Sequence, residues 1–209
     1  MACTTNDVAE AFLASLGRSE YAATPYRHWF LRDCVPQGAI DDIIALPLEA
    51  PDVGGVSGKR ELHNATRNYF DRANQAQFGV VDAVARAFQG PSVTGPIGSF
   101  FGVDLGGSYL RIEYAQDTDG FWLEPHTDLG VKLFTMLLYC SRDASHADLG
   151  TDIYDSEKRH LGRSPFEPGG AMVFVPGDST YHGFESRPIE GVRKSVIINY
   201  VTDAWRARE

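Results

Sequence analysis

The chain has 209 residues and a net charge of −9, from 19 Lys and Arg against 28 Asp and Glu. With 43% hydrophobic and 22% charged residues, it reads as a soluble globular chain large enough for a core without disulfide staples. The acidic balance argues against a nucleic-acid footprint and against docking on an anionic membrane.

Three scattered cysteines, Cys3, Cys34 and Cys140, form no Cys-x-x-Cys pair and read as free thiols. The N-terminus lacks a basic region followed by an apolar core, and no apolar run is long enough to span a bilayer. A cytoplasmic location is the expectation.

In chain order, residues 5–17 predict a helix. Thr5 or Asn6 caps it, Val8, Phe12 and Leu13 form its apolar side, and Gly17 ends it. The aromatic stretch 26–34 suits a strand. Pro36–Leu46 predicts a second helix, closed by Pro47 and Pro51. Residues 51–60 form a Gly-rich loop without the spacing of a phosphate-binding loop. Residues 61–72 predict a short helix or an irregular segment. Phe78, Val81, Val84 and Phe88 recur at helical spacing and predict a helix over 75–88. The stretch 90–107, with six Gly and two Pro, reads as a long connection.

The texture then changes. Short β-type runs follow at 109–114, 131–139, 151–154, 171–175 and 193–201, separated by turn-rich segments. Helices followed by clustered short strands predict a mainly β fold, a double-sheet sandwich or jelly roll with helices packed outside. The expected organisation is one domain over 1–209, with a mostly helical support from 1–95 and a jelly-roll core from 96–203.

The chemistry concentrates near FWLEPHTDLGVKLFTMLLY, residues 121–139. His126 and Asp128 are two apart, so on a strand both side chains leave the same face. His182 lies downstream, after the run AMVFVPG. Two imidazoles and one carboxylate on one face of a metal, with open positions opposite, form the ligand set of non-haem Fe(II) oxygenases. In the last strand, alternation places Arg193, Ser195, Ile197 and Asn199 on one side. An inward Arg with a Ser beside it suits a carboxylate. Which face of strand 131–139 lines such a site depends on whether a bulge follows Gly130. His28, His63, His146 and His160 read as surface histidines.

Together, His126-Thr127-Asp128, the run AMVFVPGDSTYHGFE containing His182, and Arg193-x-Ser195 resemble the Fe(II)/2-oxoglutarate-dependent dioxygenase superfamily, most of all its prolyl-4-hydroxylase-like branch. The match covers roughly residues 108–202. The resemblance implies a double-stranded β-helix with His126, Asp128 and His182 as iron ligands. It implies 2-oxoglutarate as co-substrate beside O2, its far carboxylate on Arg193 and Ser195. It implies a co-substrate contact for Tyr114 and hydroxylation with release of succinate and CO2. The substrate expected is a small molecule or an amino-acid or peptide side chain. A jelly-roll binding module without turnover and a cupin-type metalloenzyme that does not use 2-oxoglutarate are the competing readings.

Overall fold

A computed structural model describes residues 3–50, 58, 67–128 and 130–205. The Gly-rich stretch 51–60 lies outside these residues except for Gly58, as do residues 61–66 and with them His63.

Five helices are described: α1 (Thr5–Leu16), α2 (Gln37–Ile44), α3 (Arg72–Gln77), α4 (Gly79–Gln89) and α5 (Pro91–Phe101). In α1 the cap is Thr4, one residue earlier than expected, because its hydroxyl and the Asp7 carboxylate form a reciprocal capping box. The helix predicted over 75–88 is two helices. Phe78 breaks them with extended dihedrals (φ −124°, ψ 114°).

The stretch 90–107 departs most from expectation, since Pro91–Phe101 is helical. Pro91 suits the first turn, where an N–H has no helical partner. Val93, Ile97 and Phe101, spaced four apart, are all fully buried. Tertiary burial overrides the weak propensity of Gly95, Pro96 and Gly98.

Among the described residues, eleven strands form two antiparallel sheets. They are β1 (Glu20–Ala22), β2 (His28–Leu31), β3 (Asn68–Tyr69), β4 (Tyr109–Asp117), β5 (Leu123–His126), β6 (Lys132–Tyr139), β7 (Asp152–Tyr154), β8 (His160–Arg163), β9 (Ala171–Phe174), β10 (His182–Phe184) and β11 (Arg193–Val201). The major sheet runs β1-β2-β9-β6-β11-β4-β3 and the minor sheet β5-β10-β7-β8. The major sheet therefore takes β1, β2 and β3 from the N-terminal half, as well as the later strands. The expected jelly roll with external helices is the architecture observed.

Alternation sorts the major sheet into two faces. Ile112, Tyr114, Phe134, Met136, Leu138, Val196, Ile198 and Tyr200 pack against the helices. Ala115, Leu137, Tyr139, Met172, Phe174 and Ile197 face the minor sheet, where Phe121, Leu123, Ile153 and Phe184 meet them. No described helix is long and apolar enough to cross a membrane.

The minor sheet is tied together by one buried carboxylate. Asp152 accepts hydrogen bonds from Arg163 Nε (2.7 Å), Arg187 Nη1 (2.7 Å) and the Glu185 backbone N–H (2.6 Å). Three segments thus converge on β7. His28 and His146 are buried, against expectation. Each has a ring nitrogen at a backbone carbonyl, of Tyr26 (2.8 Å) and Glu190 (2.7 Å) respectively.

Two glycines are required by close approach. A Cβ on Gly183 would lie 2.7 Å from the Leu123 carbonyl oxygen, and one on Gly150 would lie 1.8 Å from that of Ser164. Gly150→Ala must push apart the segments that enter β7 and leave β8. It is expected to lower stability by roughly 2 kcal/mol or more, read as a shift in the urea midpoint. An unchanged midpoint would contradict this packing.

Candidate metal centre

The site begins with a strand pair. His182 in β10 stands directly opposite His126 in β5, with ring centroids 4.4 Å apart. Each ring is oriented the same way. His126 Nδ1 lies 2.8 Å from the Glu124 carbonyl oxygen and His182 Nδ1 lies 3.0 Å from that of Thr180. A carbonyl only accepts, so each Nδ1 carries the proton and each Nε2 presents a lone pair. Both rings are thus held by their own backbone two residues upstream in the tautomer that a metal ligand requires.

Asp128 reaches the site differently from the expectation. His126 ends β5, and Asp128 lies two residues beyond it, outside the strand. The two side chains do not share a strand face by alternation. Instead, Asp128 is held from β6: Lys132 Nζ donates to Oδ1 at 2.5 Å, and Thr135 Oγ1 donates to Oδ2 at 2.7 Å. The carboxylate is 3% exposed, and Oδ1 is 3.9 Å from His182 Nε2. One donor atom from each of His126, Asp128 and His182 lies within 4.8 Å of the others. Two imidazole nitrogens and a carboxylate so clustered, with both imidazoles in the ligating tautomer, fit a divalent transition-metal ion.

The electrostatics keep these groups in their ligand forms. Burial by itself would push the Asp128 carboxyl up. The charges of Lys132 and His182, with hydrogen bonds from Lys132 and Thr135, outweigh it and hold the group at about 2. Burial pushes the His182 imidazole down to about 4, against the opposing pull of Asp128, so it is neutral near pH 7.

Around the triad, one cavity is lined by Lys132, Thr135, Leu137, Tyr139, Thr151, Arg193, Ser195 and Ile197. Arg193 and Ser195 therefore open on the same space as the three donors, with the alternation the sequence predicted. Arg193 is also built into the protein. Its Nη1 donates to Asp117 Oδ2 at 2.6 Å, its Nε donates to the Leu149 carbonyl at 2.7 Å, and its guanidinium stacks 4.8 Å from the Phe184 ring. Asp117 is its cross-strand partner in β4.

Tyr114 is not at the site. It lies on the helix face of the major sheet, and its hydroxyl donates to the Ile43 carbonyl at 2.9 Å. The reason is parity. Arg193 pairs with Asp117, so the odd-numbered residues of β4 face inward and Tyr114 faces the helices.

The sequence does not single out Asp117, Lys132 or Thr135 as partners of the functional groups, and it places Asn199 only on the inward side of the last strand. Thr135 Oγ1 lies 2.9 Å from the side-chain amide of Asn199. Its single proton goes to the Asp128 carboxylate, which can only accept, so the Asn199 amide must present Nδ2 to Thr135. That orientation also gives a partner to Nδ2, which otherwise has none among the described residues. A second cluster, Asp152, His160 and Glu185, also brings three donor atoms within 4.8 Å of one another. Its Asp152 is already saturated by the donors described above.

No protein-family model matches the sequence, and no curated protein matches it. Solved structures do match in fold. A Pseudomonas putida prolyl-4-hydroxylase is 13% identical at a TM-score of 0.60, over 98% of this chain and 99% of that one. A Trichoplax adhaerens prolyl hydroxylase, solved with a hypoxia-inducible-factor peptide fragment, is 10% identical at 0.57, over 95% and 91%. HygX from Streptomyces hygroscopicus, solved with iron, is 13% identical at 0.55, over 85% and 83%.

The chain has their double-stranded β-helix fold. At these identities the likeness is one of architecture, and the residues at the site carry the rest.

A pH dependence follows from His182. Its folded value of about 4 lies below the ordinary 6.5, so the unfolded chain takes up the proton first as pH falls. Metal-free protein should therefore lose stability between pH 6.5 and 4, by up to roughly 3 kcal/mol. Asp128 adds a further loss only below its ordinary value, towards about 2. Urea unfolding of metal-free protein at pH 7.5 and 5.0 checks this, and His182→Gln should flatten the difference. Equal midpoints at both pH values would contradict a buried neutral imidazole.

Proposed function

We propose that the protein is an Fe(II)- and 2-oxoglutarate-dependent oxygenase. It hydroxylates an unactivated C–H of a small molecule or of an amino-acid or peptide side chain. The observation that carries this reading is the convergence of His126, Asp128 and His182 on one cavity that also holds Arg193 and Ser195. Fe(II) with 2-oxoglutarate and O2 supplies the oxidising power when bound, releasing succinate and CO2.

The residues divide the work. His126 and His182 offer Nε2 lone pairs, each steered by a backbone carbonyl. Asp128 offers a carboxylate oxygen while Thr135 holds the other. With three protein ligands, a bound ion would have room for a chelating co-substrate and O2. Arg193 and Ser195 receive the far carboxylate of 2-oxoglutarate, with the guanidinium pre-set by Asp117 and Leu149. Leu137, Phe121, Phe184 and Ile197 line the cavity with apolar surface and limit water there. The same fold in an enzyme solved with a peptide fragment supports the inclusion of peptide side chains among the substrates.

The test is anaerobic titration of 2-oxoglutarate into Fe(II)-loaded protein, followed in the visible. A weak metal-to-ligand charge-transfer band is expected, and succinate release then identifies substrates. Arg193→Met should weaken binding roughly tenfold or more, since a charge-assisted hydrogen bond is worth about 1.5–3 kcal/mol. Tyr114→Phe should leave it unchanged. Iron uptake without the band would favour a cupin-type enzyme or an inert jelly-roll module instead.

A further inference from the structure

The oxygen of Asp128 that faces His182 already carries a cation. Lys132 Nζ sits 2.5 Å from Oδ1, the atom 3.9 Å from His182 Nε2. Strict alternation would turn Lys132 to the helix side with Phe134. A register shift intervenes: Tyr200 pairs with Phe134, but Val201 pairs with Lys132, leaving Leu133 as the extra residue. Bulges re-aim side chains beside functional sites, and this one turns the ammonium into the cavity. The amine is badly placed to hold the far end of 2-oxoglutarate. A diacid chelated at one end extends well beyond the metal, whereas Lys132 touches one of the metal's own ligands.

We propose that Lys132 is a positioning residue that acts as a built-in counter-ion at the metal centre. In the metal-free protein it pairs with the buried Asp128 carboxylate and fixes its orientation. It competes with an incoming cation for Oδ1. The inference rests on the triad reading given above. Leaving a buried carboxylate without a partner is costly, so removing the amine destabilises the metal-free state. An ammonium next to a divalent ion repels it, so removing the amine strengthens metal binding. The two effects have opposite signs. A lysine needed only for folding would lower both quantities, and a lysine that only met substrate would move neither.

The experiment measures Mn(II) affinity by calorimetry, and the melting temperature in chelator, for wild type, Lys132→Met, Lys132→Arg and His126→Ala. Lys132→Met should bind Mn(II) roughly tenfold more tightly or better, while its metal-free form melts several degrees lower. Lys132→Arg should return both values towards wild type. Equal or weaker Mn(II) binding by Lys132→Met overturns the proposal, as does an unchanged melting temperature. Lys132→Gln, which keeps a donor without the charge, repeats the affinity test if the Met variant does not fold. Failure of wild type to take up Mn(II), or undiminished uptake by His126→Ala, would instead remove the triad reading itself.

Discussion

A carboxylate buried to 3% exposure has to be paired or hydrogen-bonded at every lone pair it cannot give to water. Asp128 meets that requirement through two residues of one strand, Lys132 and Thr135. The rest of the site depends on this pairing. It holds Asp128 in place beyond the end of β5, brings the carboxylate within 4.8 Å of both imidazole donors, and extends through Thr135 to Asn199 on the neighbouring strand. Without it the two histidines would face each other across the minor sheet with no third donor to complete the set.

The architecture serves this arrangement in layers. Helices cover one face of the major sheet with Val8, Phe12, Ile40, Val84, Phe88 and Ile97. The opposite face meets the minor sheet over an aromatic core that includes Tyr139, Phe166, Phe174 and Phe184. Arg193 lies among these rings, 5% exposed and bonded to Asp117. A buried guanidinium held in this way keeps its direction, which is what recognition of a planar anion requires. The price in stability of such buried charges is set against the convergence of several partners on each, as also seen at Asp152.

Much of this was legible in the sequence, for identifiable reasons. The inward set Arg193, Ser195, Ile197 and Asn199 follows from strict alternation along an uninterrupted strand. His126 and His182 were recognisable from their order and flanking runs. Tyr114 was misplaced because spacing relative to His126 does not fix the parity of β4, which only the pairing of Arg193 with Asp117 settles. The bulge at Leu133 left no local signature, so Lys132 could not be assigned a face. Helix α5 was hidden because Gly95, Pro96 and Gly98 carry no helical preference, and burial of Val93, Ile97 and Phe101 decides its state. His28 and His146 show the same limit, since a backbone carbonyl that satisfies a buried ring is invisible in the sequence.

Between β5 and β6 the chain leaves the minor sheet for the major one. His126 and His182 belong to one sheet, whereas the residues that grip Asp128 belong to the other. The three donors therefore straddle the sandwich, and their mutual spacing is a gauge of the gap between its layers. Any repacking of the aromatic filling, even far along the sheets, would be transmitted to that spacing as a change in bite. Low compressibility of a close-packed interior makes the transmission stiff. The filling between the sheets thus acts as a shim for the three donors, and on the proposed reading its volume is constrained by coordination as well as by folding.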